Sequence, residues 1–433
     1  MKKVLIITYY WPPSGGIGVQ RCLKFAKYLR DFGWEPIIYA PENAQYVYFD
    51  ESNLKEIPEN ITILKCSIRE PFNLFKKFSG RKKDDAFNPI SARDKKVKFI
   101  DNFAIWIRGN FFIPDARFLW IKPSVKYLSK YIQKNHVDAI LTDGPPHTNT
   151  VIGCRLSQKF NIPWLADFQD PWTQVDYYKF FKLTKRADQK HHKLEQEVFK
   201  TAKKITIASP SWKKDIEKIG AKNVDVVLWG YDEDDYKSFK NQKLDKKFTI
   251  AHTGILGFDR NPDVLFEALK DIKNEIPQFA DDLKINLAGM VDYSVIESIK
   301  ENELEKNTNL FGTINRHEAI NLVMKAQLLL LPINKAENAL GRIPAKLFEY
   351  LCSKRPILYL GPLNGDVANI INYTSSGKCF EYDNYEDIKD FVKYRYKKYK
   401  DDEIDNCTFD ISEYSVKKQT GKIASYLDEM TKV

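Results

Sequence analysis

Short apolar runs alternate with amphipathic stretches along most of this chain, and that alternation predicts a parallel α/β architecture. Val4–Thr8 reads as a buried strand, followed by a helix over Gln20–Phe32 that ends near Gly33 and a second strand at Glu35–Tyr39. Later the pattern predicts a helix around Pro123–Lys134, a strand at Asp138–Thr142, a helix from His147 or Thr148 to Phe160 and a strand at Trp164–Phe168. A polar helix at Leu183–Thr201, a strand at Lys204–Ala208, a helix at Ser211–Ile219 and a strand at Val224–Leu228 complete this first series. The charged run from Tyr231 to Lys247 then breaks the rhythm, which restarts with strands at Phe248–His252, Lys284–Ala288, Asn309–Gly312, Leu328–Pro332 and Ile357–Leu360. Helices are predicted between them at Asp263–Ile272, His317–Lys325 and from Pro344, with closing helical patterns at Tyr385–Tyr399 and Ser415–Met430.

A chain of 433 residues is long for one core, so two doubly wound domains are expected. The expected division is an N-terminal domain over 1–235, a solvated linker over 236–247, a C-terminal domain over 248–400 and a closing helix in 401–433 that returns to the first domain. The apolar run after Lys2-Lys3 is short and runs into Trp11-Pro12-Pro13, so it reads as a first strand rather than a secretion signal. No run approaches the ~18 apolar residues of a membrane span.

Charge changes this picture in one place. The net charge of +10 is concentrated between Lys65 and Lys134, where 17 Lys and Arg face 6 Asp and Glu among interleaved Phe and Trp residues. Such a basic, aromatic insertion (about 65–135) is either a charged surface element or a dock for anionic lipid. No nucleic-acid module is visible, so a nucleic-acid partner is not expected. Six cysteines without C-x-x-C spacing argue against zinc and disulfides and for a reducing compartment. The expected location is cytoplasmic, peripheral on the inner face of the plasma membrane.

The most informative chemistry lies in Gly341-Arg342-Ile343-Pro344-Ala345-Lys346-Leu347-Phe348-Glu349-Tyr350-Leu351. Proline suits a first helical turn, and Lys346 then leans over the open N–H groups there, a place for phosphate. Glu349 lies one turn on, where a carboxylate can accept two hydrogen bonds from vicinal hydroxyls such as those of a ribose. By spacing alone the two are equally an i, i+3 surface ion pair.

The pattern Pro-x-Lys-Leu-Phe-Glu-Tyr-Leu followed by Arg-Pro-Ile-Leu resembles the donor-binding helix and next strand of the family 4 retaining glycosyltransferases. That resemblance implies a GT-B fold, two Rossmann-like domains facing across a cleft. It implies sugar transfer from a nucleotide-diphosphate donor to a glycan or lipid-linked acceptor, as in surface-polysaccharide synthesis, with no cofactor and no metal. In that family the departing phosphate can itself take the acceptor proton on the same face, which removes the need for an enzymic base.

Other positions are read against the same family. Gly15, Gly16 and Gly18 resemble its glycine loop under the diphosphate and sugar. Arg21 stands where a dinucleotide fingerprint has its third glycine, which weakens an NAD-dependent oxidoreductase reading. Gly254 ends a strand, and Arg260, expected at a helix start where a cation is misplaced without an anion, matches the family's Lys. Ile255 falls where the family has Arg, leaving Arg342 or Lys346 to supply the second charge. Phe311-Gly312-Thr313-Ile314 resembles the strand end that carries the nucleobase on its backbone, through Gly312 and Ile314. Gly341 stands where the family has a sugar-contacting Glu, although the ribose-binding Glu349 is present. In the first domain either Gln169 or Asp170 stands where the family has His, and Asp170 and His147 are the candidates for orienting or polarising the acceptor; a helix-cap role for His147 and a turn role for Asp170 stay open. The alternatives are a GT-B nucleotide-sugar epimerase, an oxidoreductase, and a non-catalytic membrane-docking protein.

Overall fold

The computed structural model describes residues 1–70, 105–239, 241–403 and 409–432. The chain divides into two compact units, one formed by Met1–Leu228 with Val416–Val433 and the other by Trp229–Ser415. Residues 71–104, about half of the basic window read as either a charged surface element or a membrane dock, lie outside the described residues.

In the first unit seven parallel strands run β1 (Lys2–Ile7), β2 (Trp34–Pro41), β3 (Thr62–Cys66), β4 (Ala139–Gly144), β5 (Trp164–Phe168), β6 (Lys204–Ile207) and β7 (Val224–Val226), in the order β3-β2-β1-β4-β5-β6-β7. Because successive strand residues face opposite sides, the apolar run of β1 serves two cores. Leu5 and Ile7 pack in one cluster with Ile37, Ile140 and Trp164. Val4 and Ile6 pack in the other with Leu23, Leu141 and Leu165, and there Ile423, Ala424 and Leu427 of the C-terminal helix Val416–Thr431 close the layer. The strand order reverses between β1 and β4, and in open α/β sheets ligands bind at the carboxyl ends beside such a switch.

The second unit repeats the plan with β8 (Phe248–Thr253), β9 (Leu283–Ala288), β10 (Thr308–Gly312), β11 (Leu328–Pro332), β12 (Ile357–Leu360) and β13 (Gly377–Phe380), in the order β10-β9-β8-β11-β12-β13. Its switch lies between β8 and β11.

Three sequence expectations need correction. Residues Glu233–Phe239, placed across the start of a solvated linker, form a 3-10 turn whose Tyr236 and Phe239 are buried with Ile320. The two aromatic side chains outweigh the flanking acids. The motif helix starts at Lys346 rather than Pro344 (Lys346–Ser353), with Pro344 and Ala345 forming the turn whose carbonyls accept from Leu347 and Phe348. Arg260 belongs to a 3-10 turn, Phe258–Arg260, ahead of the helix Asp263–Glu275, and is not its first residue.

Candidate active site

Two groups of polar residues gather at the switch points, one in each unit. In the second unit β8 ends in His252, Thr253 and Gly254. The Thr253 N–H donates to the hydroxyl of Tyr350, 3.1 Å away and fully buried, which ties the strand end to the motif helix. Lys346, first residue of that helix, thereby comes to lie over the strand end with Nζ 3.3 Å from His252 Nε2. His252 is buried and its Nδ1 is 2.9 Å from the Leu330 carbonyl on β11. That carbonyl accepts a hydrogen bond, so Nδ1 carries the proton and Nε2 presents its lone pair to the Lys346 ammonium. Burial, with Lys346 next, holds the imidazole well below its ordinary pKa and keeps it neutral.

Lys346 is itself perturbed. Burial and then the neighbouring Arg260 lower its pKa to about 7, against the opposing pull of Glu349. Gly254 has φ +106°, and a Cβ there would stand 2.7 Å from Lys346 Nζ, so both backbone conformation and space call for glycine. The β9 and β10 ends are also glycines with positive φ, Gly289 and Gly312, and the Gly289 N–H donates to the Gly312 carbonyl at 2.6 Å. The strand ends below Lys346 are therefore bare backbone.

Arg260 Nε and Nη2 lie 3.1 and 3.2 Å from the two oxygens of Asp259. Asp259, not an anion at a helix start, accounts for the cation at this position. Glu349, read as a free ribose ligand, gives Oε1 to Arg316 Nη1 at 2.7 Å. Arg316 also grips Asp235 through Nη2 at 2.8 Å. Burial opposes its charge, yet Glu349 and Asp235 together hold its pKa above the ordinary value. Sequence reasoning missed Arg316, although it is the first residue of the helix Arg316–Lys325. The misplaced-cation argument applied to Arg260 finds its true case here, and the anions are protein carboxylates. Glu349 Oε2 has no hydrogen-bond partner among the described residues.

The Gly341-Arg342 segment follows a 3-10 turn at Ala339–Gly341 and leads into the helix; Gly341 is buried and Arg342 half-buried. Gly312 is exposed at the end of β10, and Ile314 is half-buried just before the N-cap Asn315. Gly254, Arg260, Lys346 and Glu349 thus form one electrostatic neighbourhood, with Gly312 joined to it through Gly289.

The remaining candidates belong to the other unit. The glycine segment runs into the helix Ile17–Tyr28, whose second residue is Gly18: Gly15 donates to the Tyr48 carbonyl at 2.8 Å, Gly16 has φ +79°, and a Cβ on Gly18 would meet the Tyr10 ring at 3.0 Å. Arg21, the residue that spoiled the dinucleotide pattern, is buried and bonds Asp167 on β5 as well as the carbonyls of Val227 and Leu228. His147, first residue of the helix His147–Phe160, stacks on Trp172 at 4.4 Å with rings 3° from parallel. Burial, then His191, lowers its pKa to about 3, so it is neutral and carries no proton to donate from a charged state. Asp170 is half-buried just past β5.

The same unit holds a buried carboxyl to which sequence reasoning gave no role. Asp143 at the end of β4 is fully buried, and its carboxyl receives Thr8 Oγ1 (3.1 Å), Asn149 Nδ2 (2.9 Å) and Gln169 Nε2 (3.4 Å), all uncharged. Burial raises its pKa to about 7 despite the Thr8 hydrogen bond, with Asp167 adding to the rise. Among the described residues no cluster of His, Cys, Asp and Glu is arranged to hold a metal ion, and no helix is long and apolar enough to cross a membrane.

Residues 233–403 match a family described as glycosyl transferases group 1. A sequence search of curated proteins gave no match. Among solved structures the chain is similar to sucrose-phosphate synthase from Thermosynechococcus elongatus, at 12% identity and a TM-score of 0.55, covering 100% of this chain and 96% of that one. It is similar to HepE of Anabaena in complex with UDP-glucose, at 12% identity and a TM-score of 0.57, covering 100% and 97%. It is also similar to S. aureus TarM in complex with fondaparinux, α-GlcNAc-glycerol and UDP, at 11% identity and a TM-score of 0.56, covering 99% and 96%. The chain has the GT-B fold, and its match to glycosyl transferases group 1 falls on the unit that carries Lys346, Arg260 and Glu349.

Proposed function

We propose that this protein transfers a hexose-type sugar from a nucleoside-diphosphate sugar to a hydroxyl of a glycan or lipid-linked acceptor, with retention and without a metal ion. The observation that carries this reading is Lys346, with Arg260 near enough to lower its pKa, over bare strand-end backbone at the β8/β11 switch, one helical turn from a half-buried carboxylate. A diphosphate over Gly254 meets Lys346, whose charge it restores, at the positive end of the motif helix. The same cations offset the negative charge that grows on the leaving diphosphate as the sugar departs. Glu349, oriented by Arg316 through one oxygen, offers the other to the ribose hydroxyls. With Gly341 in place of a glutamate, no side chain at that position grips the sugar.

The acceptor belongs with the first unit in this reading, where Asp170 lies at the strand end and His147 is held by Trp172 as a neutral wall. A role at the inner face of the plasma membrane in cell-surface polysaccharide synthesis accompanies this proposal, supported by the basic window of the sequence.

The test is calorimetry with UDP and GDP on the native protein, Lys346→Ala and Glu349→Ala, followed by a panel of nucleotide sugars read by mass spectrometry. Binding that weakens about tenfold or more in each variant is the expected result; unchanged binding in both defeats the site. Donor converted to an isomer with no acceptor present identifies an epimerase instead.

A further inference from the structure

The first unit carries a second cationic centre that the proposed chemistry leaves unused. We infer that Arg108 and Arg117, beside Tyr9 and Tyr10 at the carboxyl end of β1, bind an anionic group, a phosphate or a carboxylate, on the acceptor substrate. The word acceptor rests on the proposed transferase function; the anion site does not.

Tyr9 and Tyr10 follow β1 immediately, and β1 borders the switch point with β4, where an open sheet receives ligands. The Arg117 guanidinium lies 4.5 Å from the centre of the Tyr9 ring, with Nε 3.4 Å from Glu70 Oε1. Arg108 stands close enough to Arg117 for the two to repel. Its charge is disfavoured by burial and then by Arg117, and among the described residues it makes no hydrogen bond or ion pair. An arginine cannot relieve this by losing its proton, so the guanidinium stays charged.

The nearby carboxylates are already committed. Glu70 Oε1 also accepts from the Tyr9 hydroxyl at 2.7 Å, and Oε2 accepts from the Gln45 N–H at 2.8 Å. Asp115 Oδ2 accepts from the Thr148 N–H at 2.7 Å, and Oδ1 accepts from Thr148 Oγ1 at 2.8 Å and from the Arg117 N–H at 2.9 Å. Both carboxylates thus fix the walls, and among the described residues the Arg108 fork hydrogen-bonds to neither of them. The close packing of Gly18 on the Tyr10 ring places this centre beside the glycine loop. A planar guanidinium matches phosphate or carboxylate through paired hydrogen bonds.

The experiment is calorimetry of inorganic phosphate against the full-length protein and Arg108→Gln, each with and without saturating UDP. Expected is phosphate binding that persists with UDP present and weakens about tenfold in Arg108→Gln, with UDP affinity and melting temperature unchanged. Arg108→Lys, which keeps the charge but not the fork, falls between the two. Phosphate binding that UDP abolishes, or that is equal in native and Arg108→Gln proteins, overturns the inference. Glucose 1-phosphate and glucuronate then separate the sources: Arg108-dependent binding of the first assigns a phosphate, of the second a carboxylate, and of neither overturns the site. Should UDP fail to bind at all, the donor reading falls, while the phosphate comparison between native and variant protein is read unaltered.

Discussion

Lys346 Nζ lies 3.3 Å from His252 Nε2, so the ammonium is backed by an imidazole with no proton at that atom. With its pKa near 7, Lys346 is largely charged at pH 6 and largely neutral at pH 8. An anionic ligand favours the charged form, so nucleotide binding draws in a proton where the lysine was neutral. Calorimetry of UDP in buffers of different ionisation enthalpy is expected to show uptake approaching one proton at about pH 8 to 9 and little at pH 6. Equal uptake at both pH values counts against this assignment, and Lys346→Ala abolishes the difference.

Arg316 holds two carboxylates, Glu349 and Asp235, on one guanidinium. Arg316→Ala leaves both half-buried and repelling each other, so a loss of about 1–3 kcal/mol in urea unfolding is expected. UDP affinity falls with it, because Glu349 loses its orientation. Arg316→Lys recovers little, since a point charge cannot serve two carboxylates in a fork. A variant with native stability and native UDP affinity refutes this role.

Asp143 is the reverse case of a carboxyl with no cation. Its folded pKa of about 7 lies above the unfolded value, so the folded state binds the extra proton and stability is lost as pH rises from about 4 to 7. A shift of this size corresponds to about 4 kcal/mol. Asp143→Asn removes the ionisation, so at pH 8 it is expected to unfold at higher urea than the native protein, the two converging near pH 4. Parallel pH profiles for the two proteins rule the effect out.

Arg21 and Asp167 meet through two hydrogen bonds of 2.5 and 2.7 Å, both side chains wholly buried. Removing either partner strands a charge in the core, and Arg21→Met or Asp167→Leu alone is expected to cost about 3–5 kcal/mol. The double variant is expected to recover most of that loss. Additive losses in denaturant unfolding contradict the coupling.

The alternation of apolar runs and amphipathic stretches revealed both sheets because parallel strands buried on two faces leave an unmistakable apolar run. It missed the edge strands Thr62–Cys66 and Gly377–Phe380 and the helix Tyr293–Glu301, which bury few of their residues, and also the short helix Asp366–Thr374, which buries most of its own. The motif helix was legible from Pro344 to Leu351 within two residues of its start. Partners far apart in sequence were not: Arg316 lies 33 residues from Glu349, and Lys346 lies 94 from His252. No local pattern encodes which strand end a helix will cover. Arg21 looked like a spoiled glycine fingerprint, and only its distance to Asp167, 146 residues away, shows why a large cation is needed there.

Gly289 has φ +119°, and a Cβ on it would stand 2.2 Å from the Gly254 carbonyl oxygen. The two strand ends touch backbone to backbone, so no substitution can decorate this part of the floor without breaking it. If the proposed donor site holds, retuning its preference in the laboratory has to be written into the surrounding loops, at 255–261, 313–315 and 334–345, and not into the platform itself. A mutational library aimed at new sugar specificity gains most by leaving Gly254 and Gly289 untouched and randomising that rim.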